Sequence, residues 1–306
     1  MVGVSELARY VSAHELLGCP TTRVSDLSEP FLFMSIALWQ AKNALICGAS
    51  AGLGRQFALS LAAQKVEKLG ILARQADALD NLRQEIEKSH PEVQVFVFHA
   101  DLTDAERMTS LSEEVAQSLG ELDLVVNAVG KSDRGTLADL SSAELEMLVQ
   151  VNVCSALHAA QTFAEHLRKR NGTLVLIGSL ASLFAPRFLG GYAIAKHGVA
   201  ALAQQARLEL EPEGVHVLLA CPGPIQREDA GSRYTSEKSS TPAEALKPGG
   251  GVKLSGLAPE PLVSDILIAA AKKKKTVVRP RRARLLHILT ALWPSLAERI
   301  LKSRTS

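Results

Sequence analysis

A short apolar run of strand type, Asn43-Ala-Leu-Ile-Cys-Gly48, is followed by a stretch with helix-forming neighbours, Arg55 to Ala63, and the turn between them is Gly48-Ala-Ser-Ala-Gly52-Leu-Gly54. At such a turn the first glycine permits a tight bend. The second lets the backbone approach a pyrophosphate, and the third lets the helix pack closely on the strand. The helix N-terminus then offers free amide hydrogens and the positive end of its dipole to phosphate groups. The spacing is G-x-x-x-G-x-G rather than the commoner G-x-G-x-x-G. A glycine turn of this kind also serves as a bare connection, so the residues that follow must decide.

A second buried-type strand, Leu69-Gly-Ile-Leu-Ala73, ends where a dinucleotide-binding fold places the residue that reads the adenosine ribose. An acidic residue there would bind the 2′-hydroxyl of NAD. Here Ala73 is followed by Arg74, whose planar, permanently charged fork suits a 2′-phosphate, and the expected cofactor is NADP(H). The plainer alternative is that Arg74 opens the solvent face of the next helix, Ala76 to Lys88. Far downstream, Tyr192 and Lys196 stand four residues apart, thirteen residues after Ser179, which closes the strand Thr173 to Ile177.

In this order and at these intervals the motifs resemble those of the short-chain dehydrogenase/reductases, over about Lys42 to Val278. Cys47-Gly-Ala-Ser-Ala-Gly-Leu-Gly54 is similar to the glycine motif, with Cys47 in place of the usual threonine. Asp101-Leu-Thr103 is similar to the acidic element that contacts the adenine, and Val126-Asn-Ala-Val-Gly130 to the Asn-Asn-Ala-Gly strand end, with Ala128 for the second asparagine. Asn152, Ser179, Tyr192 and Lys196 match the catalytic set, and Pro222-Gly223 with Ile225 matches the segment beside the nicotinamide. The resemblance implies a doubly wound parallel α/β sheet with helices on both faces. It assigns the cofactor to Gly48, Ser50, Gly52, Leu53, Gly54, Arg74, Asp101, Leu102, Asn127, Tyr192, Lys196, Pro222, Gly223 and Ile225, and no metal. Two departures stand out. Cys47 lacks a hydroxyl that ties down the glycine loop, and Arg227 stands where a threonine often bonds the carboxamide.

The chemistry then expected is interconversion of a carbonyl and a secondary alcohol. A tyrosine donates a proton near neutral pH only when its pKa is lowered from about 10, which a nearby ammonium and an oxidised nicotinamide can do. Residues four apart share a helix face, so Tyr192 and Lys196 can point into one cleft. Ser179 would hydrogen-bond the substrate oxygen. The resemblance gives Asn152, on the long helix before it, a water connecting Lys196 to solvent. A lone Tyr–Lys pair is ordinarily a surface pair and a lone strand-end serine a turn residue; only the combination carries the argument. His158 and His197 read as packing or surface residues, and Arg187 as lying at the cleft rim.

Leu180, Leu183, Phe184, Phe188 and Leu189 precede Tyr192 and would give the cleft an apolar wall, favouring a lipophilic substrate such as a lipid, steroid or retinoid. The segment from about 226 to 261 is polar and rich in Ser, Pro and Gly, the composition of a substrate lid. With 306 residues, 47% of them hydrophobic, one large α/β domain (42–280) is expected between an N-terminal extension (1–41) and a C-terminal one (281–306). Cys19, Cys47, Cys154 and Cys221 show no paired spacing and read as free thiols in a reducing, cytoplasmic compartment. Phe31 to Trp39 is apolar but nine residues long, against about 20 for a spanning helix. Ser5 to Leu17 reads as a short amphipathic helix.

Charge is segregated. From Lys272 onward 11 Lys/Arg face one acid, Glu298, giving +10, while the rest of the chain carries 23 basic and 31 acidic residues, giving −8. This basic stretch runs into the apolar stripe Leu285, Leu286, Ile288, Leu289, Leu292 and Trp293, continued beyond Pro294 by Leu296, Ile300 and Leu301. Two readings fit: peripheral contact with an anionic membrane on the cytoplasmic side, or a helix packed on the domain or on a dimer partner. A nucleic-acid partner is not expected, because the apolar stripe would serve no purpose there. Family habit is a dimer or tetramer. A second class of function also fits: a catalytically idle NADP-binding scaffold whose redox state governs attachment to a membrane or partner.

Overall fold

The computed structural model describes residues 38–226 and 256–304. The expected Ser5–Leu17 helix, most of the Phe31–Trp39 stretch, Cys19, Arg227 and most of the 226–261 lid lie outside the described residues.

Seven strands form one wholly parallel sheet: β1 (Asn43–Cys47), β2 (Lys68–Ala73), β3 (Gln94–His99), β4 (Leu124–Asn127), β5 (Thr173–Ile177), β6 (His216–Pro222) and β7 (Thr276–Arg279), in the order β3-β2-β1-β4-β5-β6-β7. The central strands read as unbroken apolar runs because both faces are covered; every residue of β1, β4 and β6 is buried. Successive side chains point to opposite faces. Leu45, Val125 and Leu174 enter one core layer, and Ile46, Val126 and Val175 the other.

The second layer is filled by α1 (Gly52–Ala63), α2 (Ala76–Ser89) and, near the other end of the chain, α7 (Pro259–Ala271), through Phe57, Leu61, Leu79, Ile86, Leu262 and Ile266. The first is filled by α3 (Arg107–Leu119), α5 (Ser155–Arg168) and α6 (Gly190–Leu210), through Leu111, Val115, Phe163, Val199 and Ala203. A short helix, α4 (Ser142–Val149), starts at a capping box in which the Ser141 hydroxyl accepts from the Glu144 amide while Glu144 accepts from the Ser141 amide. Beyond β7, α8 (Ala283–Leu292) and α9 (Pro294–Arg304) pack against each other. Among the described residues no helix is long and apolar enough to cross a membrane.

Because β1 and β4 are sheet neighbours, the chain reverses direction of travel across the sheet between them, and a crevice opens at the carboxyl ends of the strands. Helix α1 begins at Gly52, three residues before the expected Arg55, because two glycines of the turn form its first turn. A Cβ on Gly54 would lie 2.0 Å from the Gly48 carbonyl oxygen, so helix and strand meet at backbone contact.

Candidate active site

A cleft of about 750 Å³ follows this crevice. Its nucleotide-side wall is built from Gly48, Ser50, Gly52, Leu53, Arg74, Asp101 and Leu102, and its other side from Asn152, Ser179, Tyr192, Lys196, Pro222, Gly223 and Ile225. Gly54 and Asn127 do not line it. Gly54 is spent on helix–strand contact, and the buried Asn127 turns its side-chain oxygen back to accept from the Val129 amide at 3.1 Å, holding the β4 turn from behind.

The residues present suit a dinucleotide. Gly48 has φ +84°, a conformation that favours glycine, and its missing side chain leaves room against the Val129 backbone. The α1 N-cap is Ala51, which has no side chain to cap the helix, and the first turn carries no acid. Its first-turn amides are therefore available to an anion. Arg74 lies at the end of β2 and pairs with Asp101 at 3.2 Å. Burial raises the Asp101 pKa, but the Thr103 amide (2.9 Å), the Thr103 hydroxyl (2.8 Å) and Arg74 outweigh it and hold the carboxylate below its usual value. Arg74 and Asp101 thus form one polar corner, with the Arg74 side chain 71% exposed at the cleft.

On the other side, Lys196 is buried and donates to the Ile177 carbonyl at 2.9 Å. Removal from water lowers its pKa from 10.5 to about 8. Tyr192 lies one turn earlier on α6, its ring centre 5.9 Å from the Lys196 nitrogen. Ser179 stands in extended conformation past β5. Its amide donates to the Ser182 hydroxyl and its own hydroxyl accepts from the Ala181 amide, both at 3.1 Å.

Asn152 does not sit on a continuous helix as expected. Residues Gln150–Cys154 form a π-helical turn between α4 and α5, a local widening that turns Asn152 inward. Its Nδ2 donates to the Lys131 and Leu148 carbonyls, both at 2.9 Å, while Oδ1 is buried without a partner among the described residues. That oxygen and the Lys196 nitrogen converge on Gly130, where a Cβ would lie 2.8 Å from the one and 3.2 Å from the other. A buried acceptor beside a buried ammonium is arranged to hold a polar group between them.

The apolar wall is narrower than expected. Leu180, Phe184 and Leu189 line the cleft, together with Met147 and Pro186, but Leu183 packs on the core and Phe188 is turned under the exposed Arg187, 4.9 Å from its guanidinium. Lys131 and the buried Arg134 also line the cleft; in sequence they sit in a polar loop, Lys131-Ser-Asp-Arg134, that reads as solvated surface. His158 bonds the Leu102 carbonyl at 2.6 Å and His197 the Ala193 carbonyl at 2.8 Å. The thiol of Cys47 is fully buried, which raises its pKa, and burial lifts Cys221 to about 12, so neither is a nucleophile here.

The profile of one family, described as short chain dehydrogenase, matches residues 42–238. The chain belongs to that family. Short-chain dehydrogenases bind nicotinamide cofactors, and this one is accordingly an oxidoreductase. Among curated relatives, the dehydrogenase/reductase SDR family member 7B of Bos taurus is 29% identical over 273 residues, covering 85% of this chain and 80% of that one. The (-)-trans-carveol dehydrogenase of Rhodococcus erythropolis is 30% identical over 192 residues, 58% of this chain and 69% of that one. Of solved structures, an alcohol dehydrogenase from Thermococcus sibiricus complexed with 5-hydroxy-NADP superposes with a TM-score of 0.65 at 25% identity, over 78% of this chain and 95% of that one. L-Sorbose reductase from Gluconobacter frateurii, complexed with NADPH and L-sorbose, shares the fold at 19% identity and a TM-score of 0.67, over 78% and 95% of the two chains.

Proposed function

We propose that this short-chain dehydrogenase is NADP(H)-dependent and interconverts a carbonyl and a secondary alcohol on a lipophilic substrate. The observation that carries the catalytic half is the convergence of Asn152 Oδ1 and Lys196 Nζ on Gly130, in the same cleft as Tyr192 and Ser179. The bound nicotinamide supplies or accepts the hydride. Ser179 donates its hydroxyl hydrogen to the substrate oxygen, its backbone held in place by Ser182. Tyr192 gives a proton to that oxygen in reduction and takes it back in oxidation. Lys196, as an ammonium, stabilises the tyrosinate, and its lowered proton affinity makes it a ready link in exchanging the proton with solvent through a water that Asn152 would hold.

NADP preference is supported by Arg74 at the end of β2, in the place where a carboxylate would select NAD. The Thermococcus relative bound to an NADP derivative points the same way. A lipophilic substrate, and with it a role in lipid metabolism, is supported by Met147, Leu180, Phe184, Pro186 and Leu189 on the cleft wall. The test is titration with NADPH and NADH, followed by intrinsic fluorescence, and then turnover of a panel of apolar and polyhydroxylated ketones. Arg74→Ala is expected to weaken NADPH binding by about tenfold or more, the worth of a charge-assisted phosphate contact, and to leave NADH binding nearly unchanged. Equal loss for both cofactors would remove the NADP assignment. Faster turnover of polyhydroxylated ketones would remove the lipophilic one.

A further inference from the structure

The described part of the C-terminal extension is a helix pair with two unlike faces. Ala283 and Ala297 are buried, and Leu286 and Leu301 pack on the main core, so one face is anchored to the domain. The other presents Leu285, Ile288, Leu292, Trp293 and Leu296, each 47–64% exposed. Leu285, Ile288 and Leu292 recur at helical spacing along one stripe of α8, and Trp293 and Leu296 carry it round the corner at Pro294. Solvent-facing apolar groups in a contiguous set mark a contact surface.

The charges around this face say what it contacts. Arg281, Arg282 and Arg284 stand exposed at the start of α8. Arg299 and Lys302 stand exposed on α9, three and six residues after Leu296, with Glu298 the one acid of either helix. The lysine run that precedes them in sequence is not part of the surface. Lys272–Lys275 occupy the turn before β7, at the amino end of the strand whose carboxyl end leads to α8, and there Lys273 donates to the Asn171 carbonyl at 2.9 Å and Lys275 pairs with Glu211 at 3.3 Å.

We infer that the outer face of α8 and α9 docks on an anionic lipid bilayer, with its leucines, isoleucine and tryptophan in the acyl boundary and its arginines and lysine among the headgroups. Arginine-rimmed apolar helices with a tryptophan at the edge match both layers of such a surface. A second copy of the chain matches it poorly, because an isologous interface sets the same patch against itself and brings like charges together. The placement also orients the molecule. Gly223 on the cleft wall donates its amide to Arg279 at 2.7 Å, one residue before the segment that leads into α8, so the docked face adjoins the cleft edge. The inference rests on the helix pair alone and stands whether or not the redox reading does.

The test is co-sedimentation of the full chain with vesicles of phosphatidylcholine alone or mixed with phosphatidylglycerol, alongside tryptophan emission. Of the two tryptophans, Trp39 is buried and donates to the Leu267 carbonyl at 3.2 Å, so a lipid-induced blue shift reports Trp293. Binding to the anionic vesicles, weakened by salt, with a blue shift is expected. Ile288→Glu with Leu292→Glu should abolish it, and Arg281→Gln with Arg284→Gln should weaken it by about fivefold per charge. Both pairs are exposed, and circular dichroism verifies that the variants fold. Absence of binding, binding that these variants leave intact, or a lipid-free dimer that Ile288→Glu dissociates would each overturn the inference.

Discussion

The cleft and the C-terminal helix pair depart from the ordinary partition of residues in opposite directions. In the cleft, polar groups are buried: Lys196 loses most of its water, and Asn152 keeps a buried oxygen with no described partner. On the helix pair, apolar groups of the same size stand in water. The two costs are comparable. Lowering the Lys196 pKa from 10.5 to about 8 corresponds to about 3 kcal/mol against the charged form, and a large apolar side chain left exposed forgoes about 1.5–3 kcal/mol. The difference lies in what recovers the cost. Protein groups already surround Lys196 and Asn152, whereas the outer face of α8 and α9 stays exposed among the described residues, and the docking we propose would cover it with a surface from outside the chain.

The sharpest way to break the comparison is at the cleft. Tyr192→Phe is expected to lower kcat by roughly 10²–10⁴-fold, the usual worth of a positioned proton donor, with NADPH affinity held within a few fold. Retained turnover would mean that the buried polar groups serve stability only. Gly130→Ala comes next. Its methyl would press on Asn152 Oδ1 at 2.8 Å and Lys196 Nζ at 3.2 Å, and because Asn152 is fixed by two carbonyls the shift falls on the polar pair. A loss of about ten- to a hundredfold in kcat is expected, with about 1–3 kcal/mol of stability. Unchanged kcat in the folded variant would show that the convergence has no part in turnover.

Gly130 also marks how far the sequence could be read. Local backbone demands write themselves into residue type: the Gly48–Gly54 turn, the end of β2 at Arg74, the end of β5 before Ser179 and the four-residue step from Tyr192 to Lys196 were all legible, because each depends on neighbours in the chain. Features that depend on distant contacts were not. The π-helical turn at Asn152 leaves the helical pattern intact on either side. Lys131 and Arg134 look like any polar loop until the sheet brings them to the cleft. The basic stretch from Lys272 reads as one block, yet β7 runs through its middle and delivers the lysines and the arginines to opposite ends of that strand.

Lys196→Met tests the cost side directly. The folded-state pKa of Lys196 lies below its unfolded value, so between about pH 8 and 10.5 the unfolded chain binds more protons, and the native protein gains stability as pH rises through that window. Below pH 8 the full penalty is present. Methionine removes the penalty but leaves the Ile177 carbonyl without its donor, a loss of about 1–3 kcal/mol. The net gain at pH 7 is therefore about 1 kcal/mol, and it should shrink and then reverse toward pH 10. Urea midpoints of both proteins across that range measure it; a difference independent of pH would show that Lys196 is hydrated in the native state.

The smallest effect belongs to the helix pair and decides whether its outer face is open. Leu285 and Leu286 are adjacent on α8, but Leu285 is 64% exposed while Leu286 packs on the main core. Leu286→Ala should cost about 1–2 kcal/mol for a half-buried leucine, and Leu285→Ala no more than about 0.5 kcal/mol. The contrast is a property of the lipid-free protein. If Leu285→Ala costs as much as its neighbour, something already covers the outer face in solution, and the bilayer loses the surface on which it would dock. If the contrast holds, and adding anionic vesicles makes Leu285→Ala the more damaging change for binding, the same two residues separate the face that holds the helices to the domain from the face that holds the domain to lipid.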